Sequence, residues 1–181
     1  MSLSWIPNAI SLMRIALIAP ILILAVQGEF AWSLALFFVA GFSDGVDGYI
    51  ARRFNWHSRL GGLLDPIADK LLMTGVFITL AWIELIPVWL AAAVILRDVV
   101  IIGGAIAYSI VVKPAPAEPT RISKVNTAVQ ILYVLFVMSQ AAFDWPDTIS
   151  TTILGAAVLV TVVISGVDYV WSWSQRARKG E

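Results

Sequence analysis

Four aspartates lie inside otherwise apolar segments in one pattern, Asp44-x-x-Asp47-Gly48-x-x-Ala51-Arg52, then eight residues, then Gly61-x-x-x-Asp65-x-x-x-Asp69. A carboxylate at membrane depth is costly unless something neutralises it, so four together imply bound cations and a polar substrate. An oxygen-only ligand set suits Mg²⁺ or Mn²⁺ rather than a thiolate-seeking metal. A helix advances about 100° per residue, which puts Asp44, Asp47, Gly48 and Ala51 in one stripe and Gly61, Asp65 and Asp69 in another. Two antiparallel helices joined by a short connection bring these stripes face to face. Small residues at Gly48, Ala51, Gly61 and Gly62 leave space for a ligand. Hard cations held by carboxylates beside an open groove handle phosphate, which is the chemistry expected here.

The elements that must position these residues follow from composition. Of the 181 residues, 60% are hydrophobic and 13% charged, and the mean hydropathy is +0.88. These values lie well outside the range of soluble domains and predict an all-α integral membrane protein. The spacing of apolar runs predicts six transmembrane helices near residues 7–27, 31–53, 61–85, 88–111, 122–143 and 149–174, each about the 20 residues needed to span the hydrocarbon core. The carboxylate cluster then lies between helices 2 and 3. One membrane domain over residues 1–181 is expected, with no room for a further soluble domain and no cleaved leader before the first span. Without cysteine, disulfides and thiolate ligands or nucleophiles are excluded.

Charge sets the orientation. The connections after the second, fourth and sixth spans carry Arg53 and Arg59, Lys113 and Arg121, and Arg176, Arg178 and Lys179, whereas the others carry only Glu29, Glu84, Asp144 and Asp147. Basic connections face the cytoplasm, so both termini and the active region are expected on that side. The eight tryptophans all fall near predicted span ends and read as interfacial anchors.

Several residues have two readings. A cation-coupled transporter is the remote alternative use of the same carboxylates, but such a protein is expected to show repeated halves with broken helices, and no repeat is visible. The glycines at 41 and 45 have the spacing of close helix packing. His57 reads as a solvated residue of the basic connection. Arg52 suits a phosphate partner or an interfacial snorkelling arginine, and Arg14, one turn beyond Ser11, is a candidate of the same kind. Lys70 suits either charge balance in the cluster or snorkelling. Asp168 has no evident role.

The segment from Asp44 to Asp69, matching at all eight motif positions, resembles the motif of the CDP-alcohol phosphatidyltransferases. That resemblance implies six membrane helices, a homodimer, and two divalent ions between the second and third helices. It also implies transfer of a phosphatidyl or related group from a CDP-linked donor to an alcohol, with release of CMP. On this basis Asp44, Asp47 and Asp65 are expected metal ligands, and Asp69 a ligand and the general base. Gly48, Arg52 and Ser58, with Asn8 at the start of the first helix, match positions implied to contact the donor. Ser11, Ala51 and Gly61 complete the expected donor side.

Two further runs, Ile86 to Val99 and Pro119 to Gln130, are similar to the eukaryotic-type cardiolipin-forming branch of that family. The phosphatidylglycerophosphate-forming branch shares much of this, including counterparts of Arg97 and Lys124, but typically adds an arginine where this chain has Ala105. A dianionic acceptor such as glycerol 3-phosphate wants that extra cation, whereas a phosphodiester lipid carries one charge. The expected substrates are therefore CDP-diacylglycerol and phosphatidylglycerol, with glycerol 3-phosphate as the alternative acceptor, Arg97, Lys124 and Arg14 on the acceptor side, and no nucleic acid. Arg97 and Lys124 also read as helix-end charges or partners of Asp98.

Overall fold

A computed structural model describes the backbone of residues 5–54, 61–111 and 121–179, and the side chains of residues 12–43, 67–104, 122–169 and 171. The described backbone forms helices α1 (Trp5–Val26), α2 (Phe30–Phe54), α3 (Gly61–Trp82), α4 (Val88–Val111), α5 (Arg121–Phe143) and α6 (Thr148–Lys179). Each matches one apolar run of the sequence, with ends shifted by a few residues. Helix α1 begins at Trp5 and holds Pro7 in its first turn, where a missing N–H removes no intrahelical bond.

The end of α3 shows why the boundary moved. Glu84 has φ 63°, its N–H donates to the Ala81 carbonyl at 3.2 Å, and the Leu85 N–H donates to the Leu80 carbonyl at 2.9 Å. This paired closure around a left-handed residue terminates α3 at Trp82, before the apolar run itself ends. Gly28, at φ 82°, closes α1 in the same way. At the other kind of terminus, the Asp147 carboxylate accepts hydrogen bonds from the Ser150 N–H and hydroxyl at the start of α6. The Ser150 hydroxyl holds the Asp147 carboxyl below the ordinary carboxylate range.

The chain forms two compact units, Met1–Leu85 with Met138–Trp145, and Ile86–Val137 with Pro146–Glu181. In the first, α1 packs against both α2 and α3. Ile21 and Ala25 of α1, Phe37 and Ala40 of α2, and Leu72, Val76, Phe77 and Leu80 of α3 are buried at helical spacing. Ser33 of α2, fully buried, donates to the Ile21 carbonyl of α1 at 2.7 Å. A Cβ at Gly75 of α3 would sit 3.0 Å from Leu22 Cδ1 of α1, so glycine permits this approach.

In the second unit α4 packs on α6, burying Leu90, Val94 and Arg97 of α4, with Val158, Val162 and Ser165 of α6 also buried. A Cβ at Gly155 would lie 3.3 Å from both Cε2 and the hydroxyl of Tyr133. A side chain larger than alanine must displace that ring. Gly155→Leu is expected to cost about 1–3 kcal/mol through overpacking, read as a lower unfolding midpoint of the detergent-purified protein; an unchanged midpoint would mean that the ring moves aside freely.

Beside the apolar core, several polar groups are buried and many large apolar side chains are exposed. Arg14, Ser33, Arg97, Asp98, Asn126, Gln130 and Ser165 are buried, while Phe38, Phe42, Ile78, Leu96, Val160, Val163 and Val167 are exposed. Among the described residues two helical stretches are long and apolar enough to cross a membrane, Ile122–Phe143 and Thr148–Tyr169, and Leu12–Val26 and Phe30–Ser43 are shorter apolar stretches. The arrangement fits a membrane protein. Trp32, Trp82, Trp89, Trp145 and Trp171 are all exposed, as interfacial anchors should be; Trp5, Trp56 and Trp173 fall outside the described side chains.

Candidate active site

The motif aspartates lie on two uninterrupted helical stretches. Asp44 and Asp47, with Gly48, Ala51 and Arg52, are on the C-terminal part of α2, and Gly61, Asp65 and Asp69 are on the N-terminal part of α3. The three-residue and four-residue spacings are thus about one helical turn each, and each pair of carboxylates shares a stripe. Both helices pack on α1, which carries Asn8, Ser11 and Arg14. Of these residues only Arg14 and Asp69 have described side chains; Ser58 and His57 lie outside the described residues. Asp69 and Lys70 are half-buried, next to the fully buried Ala68. No cluster of three carboxylate or histidine side chains occurs among the described residues.

Arg14 is 1% exposed. A snorkelling arginine keeps its head in water, so this burial assigns Arg14 to the interior of the unit that also contains the four aspartates. Aspartates at these positions of α2 and α3 are hard oxygen donors of the kind that divalent ions take, and the buried Arg14 of the same unit is a cation of the kind that pairs with phosphate.

In the other unit the acceptor-side candidates separate. Arg97 is 5% exposed and pairs with Asp98, which is 7% exposed, through Nη1 to Oδ1 at 2.6 Å. Its Nη2 donates to the hydroxyls of Ser123 on α5 at 2.8 Å and Ser165 on α6 at 2.5 Å, and its guanidinium carbon lies 6.0 Å from the Tyr169 ring centroid. Arg97 therefore ties three helices together and is a partner of Asp98, one of the readings open to it from sequence. Lys124 is exposed at the start of α5. Ser165, which sequence reasoning did not single out, belongs to this network; its signal was one hydroxyl on the otherwise apolar run from Val162 to Val167. Asp168, without a role by sequence, lines a groove of about 450 Å³ with Ile122, Val163, Ile164, Val167 and Trp171.

Comparison with known proteins gives a consistent result. The family model described as CDP-alcohol phosphatidyltransferase matches residues 4–164. The human cardiolipin synthase (CMP-forming) is 36% identical over 181 residues, covering 91% of this chain and 60% of the human protein. The corresponding protein of Schizosaccharomyces pombe, a cardiolipin synthase (CMP-forming) / mitochondrial hydrolase fusion, is 35% identical over 180 residues, 91% of this chain and 30% of the fusion. The CDP-diacylglycerol--glycerol-3-phosphate 3-phosphatidyltransferase of Bacillus subtilis is 36% identical over 114 residues, 54% of this chain and 58% of that protein. The chain thus spans 60% or less of the length of these relatives.

Proposed function

We propose a reaction from one premise: the chain belongs to the CDP-alcohol phosphatidyltransferase family. It transfers the phosphatidyl group of CDP-diacylglycerol to a hydroxyl of phosphatidylglycerol, giving cardiolipin and CMP. The carrying observation is the similarity to cardiolipin synthases along 91% of the chain, joined to a motif whose two halves lie on continuous helices. Glycerol 3-phosphate is the alternative acceptor, supported by the shorter match to the Bacillus subtilis enzyme. Ala105, where that branch typically carries arginine, favours the lipid.

Asp44, Asp47, Asp65 and Asp69 would hold two divalent ions, Mg²⁺ or Mn²⁺, which would supply electrostatic stabilisation of the phosphate oxygens. Asp69 accepts the proton of the attacking hydroxyl as its oxygen forms a bond to the phosphorus bearing diacylglycerol. The bond from that phosphorus to the bridging oxygen breaks, and CMP leaves with the electron pair. Asn8, Ser11, Gly48, Ala51, Arg52, Ser58 and Gly61 line the donor side, the small residues admitting the diphosphate and Arg52 pairing with it. Arg14, Arg97 and Lys124 are the cations of the acceptor side; the burial of Arg14 and Arg97 supports an internal role.

The proposed setting is a single membrane domain over residues 1–181 with six spans, the carboxylates between α2 and α3, both termini and the active site toward the cytoplasm, and a homodimer as the assembly. The family match runs through both compact units, which supports one domain. Purified protein incubated with CDP-diacylglycerol, Mg²⁺ or Mn²⁺, and either phosphatidylglycerol or glycerol 3-phosphate tests the reaction: cardiolipin from the first acceptor is expected, and product from glycerol 3-phosphate alone transfers the assignment to the alternative. Topology has its own test. The chain has no cysteine, so His57→Cys introduces a single thiol, expected to react with an impermeant reagent only from the cytoplasmic side. Labelling from outside intact cells would reverse the orientation.

A further inference from the structure

The groove beside Asp168 has no role in the proposed reaction. Val163, Ile164, Val167, Asp168 and Trp171 of α6 line it with Ile122 of α5, around a volume of about 450 Å³, inside the roughly 300–1,000 Å³ of small-molecule sites. All six residues belong to one compact unit. At about 100° per residue the five α6 positions fall within about 140° of one another, on the side of the helix away from Val158, Val162 and Ser165, which are buried. Helix α4 packs on α6 and leaves the groove open: Val163, Val167 and Trp171 are each more than half exposed. Asp168 is half-buried, and among the described residues no group donates a hydrogen bond to it or pairs with it. Lys124, two residues from Ile122, falls on the far side of α5 and is exposed.

Position along the helix selects the ligand. Val163, Ile164 and Val167 lie inside the membrane-length stretch Thr148–Tyr169, whereas Asp168 is one residue from its end and Trp171 lies beyond it. An aliphatic wall within the run, with a carboxylate and an indole at its rim, has the same order as the chain and head of a membrane lipid. A carboxylate beside apolar walls is costly without a cation, and an indole ring attracts the same charge. A primary ammonium brings three N–H donors to a carboxylate, and a quaternary ammonium brings none. Anionic lipids such as phosphatidylglycerol and CDP-diacylglycerol carry only charge of the same sign as Asp168, so the groove suits neither proposed substrate. We propose that it binds an amine-headed lipid of the phosphatidylethanolamine type. The ammonium donates to Asp168 beside Trp171, and one acyl chain lies along Val163, Ile164 and Val167 against Ile122.

The test exchanges the purified full-length chain into detergent holding equal amounts of phosphatidylethanolamine and phosphatidylcholine, and measures the lipids retained by native mass spectrometry. Wild type is expected to retain phosphatidylethanolamine about tenfold over phosphatidylcholine, whose quaternary ammonium has no N–H for the carboxylate. Asp168→Asn keeps the size of the side chain and removes its charge, and is expected to bring the two lipids within about twofold of each other. Val167→Trp fills the groove and leaves the carboxylate in place; it is expected to remove the preference as well, and decides the matter should Asp168→Asn fail to fold. Equal retention of the two lipids by wild type, or a preference that survives Asp168→Asn, overturns the site. A wild-type dimer that shows no lipid preference and dissociates on Val167→Trp also overturns it, and gives the groove to a second copy of the chain.

Discussion

Asp69→Asn is expected to lower turnover by about 10²–10⁴-fold while leaving CDP-diacylglycerol binding largely intact. Asparagine keeps the size and one carbonyl oxygen of the side chain but cannot take a proton from a hydroxyl. The half-buried placement of Asp69, one turn from Asp65 on α3, suits a group that must meet a substrate and still share in holding ions. Turnover measured with saturating donor, alongside donor binding, separates loss of the base from loss of the site. Chelation of divalent ions is expected to abolish turnover in wild type as well. Undiminished activity in the asparagine variant, or in excess chelator, would remove both the base and the metal requirement.

Arg97→Ala is expected to destabilise the protein by about 3–5 kcal/mol, the usual consequence of removing one partner of a buried ion pair. The truncation takes the guanidinium away from Asp98 and from the hydroxyls of Ser123 and Ser165, so one change loosens contacts among α4, α5 and α6. Replacing both charges, Arg97→Met with Asp98→Leu, is expected to restore much of the lost stability, because well-packed apolar residues avoid the desolvation of an unmatched charge. Activity is expected to stay low in the double variant if Arg97 serves the proposed acceptor side, which then still lacks that cation. Unfolding midpoints in detergent report the first effect and acceptor kinetics the second. A stable Arg97→Ala variant with only a raised acceptor KM would show that the pair contributes little to the fold.

The positions of six helices were legible from the sequence because a long apolar run bounded by polar residues marks its own helix, and the observed ends depart from the expected ones by only a few residues. Where they depart most, at the ends of α3 and α6, the causes differ. Leu85 extends the apolar run, but the left-handed Glu84 and its paired backbone bonds end α3 at Trp82. Helix α6 continues to Lys179 over 32 residues, about 48 Å at 1.5 Å per residue, longer than a hydrocarbon core of about 30 Å. Hydropathy finds where a chain leaves the membrane, whereas backbone hydrogen bonding decides where a helix stops.

The candidate chemistry was legible for a related reason: carboxylates in apolar helices are costly enough that their spacing carries information by itself. The motif was therefore legible in the sequence, and so was the family. What a charged or amide side chain faces was not. Arg14 and Lys124 are both cations within predicted spans in the sequence, yet one is buried and the other exposed. Arg97 meets Ser123 and Ser165 across 26 and 68 residues of chain, a meeting that no local pattern encodes. Asn126 reads as one more polar residue in a span until its full burial and unmet amide appear. Local spacing sets which side chains share a helix face, but only the packing of that face against other helices decides whether a polar group meets water, a partner or neither, and that was left to the tertiary structure.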